Sequence, residues 1–312
     1  MVPPRPALIR RPFWHLPEHL ATPEQVWLSR RQVLTGAGAL AAVLAFPRRL
    51  RAASDEPVAT PEDIAISVHN FVEFSTSKKP GRAAQRLVTR PWTVTVDGEV
   101  EQPLSLGLDD LVKKLPIEDR LYRHRCVETW ALVVPWRGFA FHHLAKLARP
   151  KANARYVKFT TFHNPAWAPR QKPSWFSSMP WPYSEGLTIA EALHGLTFIA
   201  TGAYGRDDLA NVMGAPLRLV VPWKYGFKSA KSIDRITFLA EKPTSFWEEL
   251  QGDEYGFWAN INPKVDHPRW SQAEERQLGT EDYYPTRLYN GYAEAVAPLY
   301  AGLHLPDEVL FR

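Results

Sequence analysis

Cys126 is the only cysteine in a chain of 312 residues, so no internal disulfide can hold this fold together and its stability has to come from burial. Twelve Trp and 28 Pro fit a compact, loop-rich protein whose rings are mostly core, with some lining a pocket. A lone thiol has three reasons to exist: packing, nucleophilic chemistry, or binding a soft metal as thiolate. Cys126 sits in the run Tyr122-Arg-His-Arg-Cys-Val-Glu-Thr-Trp130. Two Arg and a His directly before it are expected to favour the thiolate, whereas a packing cysteine usually sits in an apolar run. On the residues alone all three roles stay open.

Ser29-Arg-Arg-Gln-Val-Leu34 is followed by an apolar, small-residue stretch from Thr35 to Phe46, then Pro47, a basic cluster and Ala52-Ala53. That order reads as a twin-arginine export signal, and the apolar stretch is too short to span a bilayer. The expectation is a leader over 1–53, cut near Ala52 or Ala53, a periplasmic location, and a single domain over 54–312. This export route carries proteins that fold before crossing, often around a cofactor. Residues 1–53 hold eight Arg and only two acids, Glu18 and Glu24, so the rest of the chain carries 30 basic against 31 acidic residues. The overall charge of +5 therefore gives no basic face for nucleic acid. The remaining length of about 260 residues can bury a substantial core.

Local patterns predict a mixed set of elements. Trp92-Thr-Val-Thr-Val96 alternates and runs into Asp97-Gly98 and Glu99-Val100, which predicts a tight hairpin. Leu108 to Leu115 reads as a helix stopped by Pro116, and Phe139 to Ala148 as another. Tyr156–Phe162, Leu217–Pro222 and Ile233–Leu239 read as strands. Thr188-Ile-Ala-Glu191 matches a capping box opening a short helix that ends at Gly195. Strands and helices interleave without regular alternation, which predicts an α+β (mixed α/β) domain rather than a doubly wound sheet. No GxGxxG, Walker A or CxxCH run occurs, so neither a nucleotide nor a covalent haem is suggested.

Five segments recur in one order: His124-Arg-Cys-Val-Glu128; Val134-Pro-Trp-Arg-Gly-Phe139; Gly214-Ala-Pro-Leu-Arg218; Pro222-Trp-Lys-Tyr-Gly-Phe-Lys228 with Ser229-Ala-Lys-Ser-Ile233; and Asn260-Ile-Asn-Pro263 to Asp266-His-Pro-Arg-Trp-Ser-Gln272. In this the chain resembles the catalytic subunits of bacterial periplasmic protein-methionine-sulfoxide reductases, within the sulfite oxidase-type molybdopterin enzymes. The resemblance runs from about Ile64 to the C-terminus and includes the leader. It implies a sulfite oxidase-type molybdopterin-binding domain with one molybdenum on a mononuclear molybdopterin, and Cys126 as the thiolate ligand to the metal. It also implies that Asn70, Val72, Glu73, Thr161, Arg218, Ser229, Ala230 and Lys231 hold the pterin and its phosphate. Three positions depart from the family: His69 stands where relatives carry an Asn, Val72 where they carry a Tyr, and Met213 where they carry an Asn before Gly-Ala-Pro. Met213 is left off the site.

The implied activity is reduction of methionine sulfoxide residues in periplasmic proteins by oxygen-atom transfer, with Glu128 and Asn70 beside the metal delivering a proton or ordering solvent. A salt bridge from Glu128 to Arg123, Arg125 or Arg137 is the bland alternative, as is a plain β-forming role for Thr161. His142 and His143 read as ordinary helix residues. The resemblance further implies a haem-containing membrane subunit, forming a heterodimer with this chain and feeding electrons from the quinone pool. Other readings are a sulfite or small-sulfoxide oxidoreductase of the same fold, an exported binding protein with a Trp-lined pocket, and a cysteine hydrolase.

Overall fold

The computed structural model describes residues 57–173 and 179–312, and the expected twin-arginine leader lies outside the described residues. Eleven strands occur among them. The first six are β1 (Thr93–Gly98), β2 (Leu104–Gly107), β3 (Glu118–Arg125), β4 (Trp130–Ala140), β5 (Tyr156–Thr161) and β6 (Ser184–Thr188). The others are β7 (Phe198–Ala203), β8 (Arg218–Val220), β9 (Ile233–Leu239), β10 (Glu274–Gln277) and β11 (Tyr283–Pro285). They form two sheets. One runs β2-β1-β9-β5-β6; the other runs β11-β10-β4-β7-β8, with β3 added against β4. Parallel and antiparallel pairs mix: β1 lies parallel to β9, whereas β5 lies antiparallel to it. The chain is thus the mixed α/β fold expected.

β5 and β9 alternate as their sequences predict, and the capping box at Thr188 forms, its side chain accepting from the Glu191 N–H while Glu191 reaches back. The helix Phe141–Ala148 buries Phe141, Leu144, Ala145 and Ala148, the i, i+3, i+4, i+7 stripe, and turns His142 and His143 outward. Phe141 packs against the first sheet, with ring centroids 5.1 Å from Phe159 on β5 and 6.2 Å from Phe238 on β9.

Three expectations change. Phe139 and Ala140 finish β4 instead of starting the helix. The hairpin after β1 is not tight: Val96 pairs with Leu104, not with a residue just past Gly98. Gly98, at φ +85°, lies so close to β9 that a Cβ would meet the Phe238 carbonyl oxygen at 2.1 Å, and Val100 pairs with Pro150 before the chain can return. The Asp-Gly pair therefore serves strand packing instead of a two-residue turn. Finally, β3 and β4 are strands that local pattern does not announce. β4 contains Pro135 and Gly138, with a register shift between Arg137 and Gly138.

The sheets meet along Gly214–Ile233. Leu219 N–H donates to Ala230 O (2.9 Å), Ile233 N–H to Leu217 O (3.2 Å) and Ser232 N–H to Gly214 O (3.1 Å). This folded-back segment carries Arg218, Ser229, Ala230 and Lys231 together at the seam.

Candidate functional site

β3 and β4 are joined by a turn that holds the thiol. Cys126 N–H donates to Trp130 O (2.9 Å) and Thr129 N–H to Cys126 O (3.0 Å), with Thr129 in the left-handed region at φ 69°. The turn is braced from far along the chain. Trp270 Nε1 and Gln272 Nε2 both donate to Val127 O, at 2.9 and 2.8 Å, and the Arg125 guanidinium donates to Cys126 O. The Asp266–Gln272 motif is therefore the outer wall of the cysteine turn, a role its sequence did not disclose.

A cavity of about 240 Å³ opens beside the thiol. It is lined by Asn70, Val72, Glu73, Cys126, Glu128, Arg218, Ser229, Ala230 and Lys231, so nine of the expected site residues converge on one space. Thr161 stands behind it, buried, with its hydroxyl 3.4 Å from Glu73 Oε1. His69, Met213, His124 and Lys78 line the cavity too. Of these, His69 and Met213 were marked only as departures from the family, and Lys78 had no signal at all in its exposed Ser/Thr/Lys run. Gly226 lies against the His124 ring, where a Cβ would come within 2.5 Å of Nε2, so only glycine lets the two segments close.

Two electrostatic features differ from the expectations. Burial first, then the Glu128 charge, push the Cys126 thiol up to about 12, away from the thiolate that the neighbouring Arg and His were expected to favour. The arginines pull the other way too weakly to offset this, because most of their charge is committed elsewhere. Arg123 and Arg125 point to the face opposite His124 and spend their charge on Glu275, at 2.6 and 3.3 Å. His124 is kept neutral by burial and by Arg218 and Lys231. This is the wrong direction for a cysteine nucleophile, and the thiol would ionise only against a strong local cation such as a metal. Nor does Glu128 pair with any of the three arginines. Arg137 is taken by Asp119 and Asp207, at 2.9 and 2.7 Å, and Glu128 instead pairs with Lys78. Its Oε2 also accepts from Asn70 Nδ2 (2.8 Å) and Trp130 Nε1 (3.2 Å) and lies 3.7 Å from Cys126 Sγ. Burial would raise this carboxyl, but those three donors hold it below its usual range.

The inner end of the cavity is cationic, and among the described residues its two cations spend their hydrogen bonds on backbone carbonyls. Arg218 donates only to backbone carbonyls, of Met213 (2.8 Å), Ser229 (3.2 Å) and Leu219 (3.3 Å), and burial lowers it to about 10. Lys231 donates to Asn70 O (2.8 Å); burial, then Arg218, lower it to about 7. Burial raises the neighbouring Glu73 to about 7. Neither cation forms an ion pair among the described residues, and buried His69 Nε2 has no partner there. Two like charges and an orphaned ring nitrogen in one recess fit an anionic group that also carries N–H donors, as a phosphorylated pterin does. Among the described residues no three His, Cys, Asp or Glu side chains gather to hold an ion. A metal at Cys126 must therefore bring most of its own ligands, as one held by a pterin dithiolene does.

The match to a known protein family agrees with this chemistry. The profile of the oxidoreductase molybdopterin binding domain family matches residues 82–247, which takes in Cys126, Glu128, Thr161 and the Arg218–Lys231 segment. The crystal structure of the sulfane dehydrogenase SoxCD from Paracoccus pantotrophus is similar over 73% of this chain and 61% of that one, at 16% identity and a TM-score of 0.45. The chain thus spans about three fifths of that relative's length. With more than half of its residues matched, this chain belongs to the oxidoreductase molybdopterin binding domain family, with molybdopterin as its cofactor.

Proposed function

We propose that this protein reduces methionine sulfoxide residues in exported proteins. The observation that carries the reading is the ionised Glu128 carboxylate beside the thiol. Glu128 Oε2, 3.7 Å from the sulfur, already holds the Lys78 ammonium, so an anionic substrate such as sulfite has to compete with it for that charge, whereas a neutral, dipolar sulfoxide needs only an N–H. The apolar and aromatic wall formed by Met179, Phe227, Trp247 and Tyr255 suits a thioether side chain. The five ordered sequence motifs support the same substrate. Cys126 would hold the metal, while Arg218, Lys231 and the Ser229–Ala230 backbone would hold the pterin phosphate, with His69 accepting from the pterin. When bound, the cofactor supplies two-electron oxygen transfer, by which a sulfoxide with two electrons and two protons becomes thioether and water. Asn70, Lys78 and Trp130 fix Glu128, and Glu128 orders the donors at the point where the oxygen departs.

We further propose that the chain is exported folded through the leader over 1–53 to the periplasm. There it pairs with a haem-containing membrane subunit that delivers electrons from the quinone pool, and its body over 54–312 acts as one domain.

The test is turnover of the molybdenum-loaded protein on a methionine-sulfoxide peptide with reduced viologen, against sulfite with ferricyanide. Sulfoxide reduction should exceed sulfite oxidation by roughly a hundredfold or more, the scale on which polar complementarity discriminates. The reverse preference would move the protein to the sulfite-oxidising reading.

Lys231 makes the stability of the cofactor-free protein depend on pH. Its folded value of about 7 lies below the ordinary lysine value of 10.5, so the unfolded chain holds more protons between these limits. The penalty of burying Lys231 is therefore full below about pH 7 and disappears above 10.5. Lys231→Met should raise the melting temperature of the cofactor-free protein at about pH 6, hardly change it near pH 10, and weaken cofactor retention at both. Parallel melts and molybdenum analysis check both halves.

A further inference from the structure

The segment from His69 to Lys78 is a closed loop, its ends tied by the His69 N–H donating to Lys78 O at 2.8 Å. It lies outside the stretch that matches the family profile. From one end it sends Asn70 to Glu128, and from the other it sends Lys78 to the same carboxylate oxygen. Three donors thus converge on Glu128 Oε2, and their remaining capacity differs. Trp130 has a single N–H, and it is spent on Glu128 at 3.2 Å. Asn70 has two, directed at Glu128 (2.8 Å) and at the Cys126 sulfur (3.6 Å). Lys78 has three and uses one among the described residues, with its side chain 45% exposed and lining the cavity.

A sulfoxide oxygen is a strong acceptor on a molecule that offers no donor, and seating it unpaired against an apolar wall is costly. As its bond to sulfur breaks, negative charge grows on that oxygen, so a cation placed there favours the transition state over the ground state. We infer that Lys78 is a substrate-binding residue: its ammonium receives the sulfoxide oxygen while remaining paired with Glu128, one carboxylate oxygen away from the metal-binding thiol. This rests on the sulfoxide-reductase reading above and adds to it the group that recognises the oxygen. Because the ammonium is shared between Glu128 and the substrate, an anionic substrate would have to compete with Glu128 for it, whereas a neutral sulfoxide uses a free N–H.

The test uses molybdenum-loaded wild type, Lys78→Met, Lys78→Arg, Glu128→Gln and the double variant Lys78→Met with Glu128→Gln, with all rates expressed per molybdenum atom. Turnover is followed on a methionine-sulfoxide peptide with reduced viologen. Equilibrium binding is followed with the matching methionine-sulfone peptide, which presents S–O oxygens without being reduced. Lys78→Met should lose about ten- to a hundredfold in kcat/KM, the effect of losing one charge-assisted hydrogen bond, with most of the loss in kcat. Sulfone affinity should fall in the same variant, and Lys78→Arg should recover most of both. The double variant should lie about tenfold below Glu128→Gln alone, because Lys78 acts on substrate as well as on the carboxylate. A double variant equal to Glu128→Gln, or a Lys78→Met protein with wild-type kcat/KM and sulfone affinity, overturns the inference and leaves the sulfoxide reading standing. A wild type that oxidises sulfite but reduces no sulfoxide overturns both.

Discussion

Replacement of Cys126 by Ser is expected to lower the molybdenum content from about one atom per chain to background and to abolish turnover, because a hydroxyl cannot supply the soft anionic ligand that the metal takes from a thiolate. The chain should still fold. The cysteine turn is held by main-chain bonds to Trp130 and Thr129 and by Arg125, Trp270 and Gln272, none of which uses the sulfur. Among the described residues the thiol itself makes only long polar contacts, 3.6 Å to Asn70 and 3.7 Å to Glu128. Cofactor-free wild type and Cys126→Ser should therefore differ in stability by no more than about 1 kcal/mol. A variant that retains molybdenum would place the metal elsewhere, and one that fails to fold would make the cysteine structural.

The second large effect is on stability. Lys224 is fully buried, and its ammonium pairs with Glu191 (2.6 Å) and donates to Trp258 O (2.6 Å) and Asn260 Oδ1 (2.9 Å). Glu191 in turn accepts from Tyr300, at 2.7 Å, and closes the capping box at Thr188. This cluster ties the segment leading to Lys228–Lys231 to the helix Ile189–Leu193 and to the C-terminal residues around Tyr300. Lys224→Met leaves the buried Glu191 carboxylate without its counter-charge and the Trp258 carbonyl without this donor, and should cost about 3–5 kcal/mol. That corresponds to a fall of roughly 6–20 °C in the melting temperature of a chain this long. Adding Glu191→Gln, which removes the stranded charge and keeps a capping-box side chain, should recover more than half. Equilibrium denaturation of the three cofactor-free proteins checks this. A loss below about 1 kcal/mol would mean that the pair is energetically idle.

What could be read from the residues follows the range of the forces involved. β5, β9 and the capped helix after Thr188 were legible because period-two burial and a capping box are local. β3 and β4 were not. Six of the eight residues of β3, Glu118-Asp-Arg-Leu-Tyr-Arg-His-Arg125, are charged or histidine, and they are accommodated only because partners arrive from Glu275, Gln272 and Tyr292. In β4, Pro135 and Gly138 look like a loop until the β7 strand is seen lying against Gly138, where a Cβ would meet Ile199 O at 2.0 Å. The site shows the same division. The motifs brought Cys126, Glu128, Arg218, Ser229, Ala230 and Lys231 to notice, and the fold gathers them with Asn70, Val72 and Glu73 around one cavity. The expected effect of Arg123 and Arg125 on the thiol is outweighed by its burial and by Glu128, with both guanidinium groups paired to Glu275. Lys78 escaped notice because an exposed lysine in a polar loop carries no local mark; only the closure of that loop onto Glu128 gives it a role.

The most direct measurement is a single turnover. Molybdenum-loaded protein, reduced with dithionite and desalted without oxygen, is mixed with a methionine-sulfoxide peptide, and the thioether formed is counted against molybdenum. The account predicts about one thioether per metal atom, with none from Cys126→Ser, since each reduced centre holds the two electrons that one sulfoxide consumes. Fully reduced, fully loaded protein that leaves the peptide untouched would contradict it.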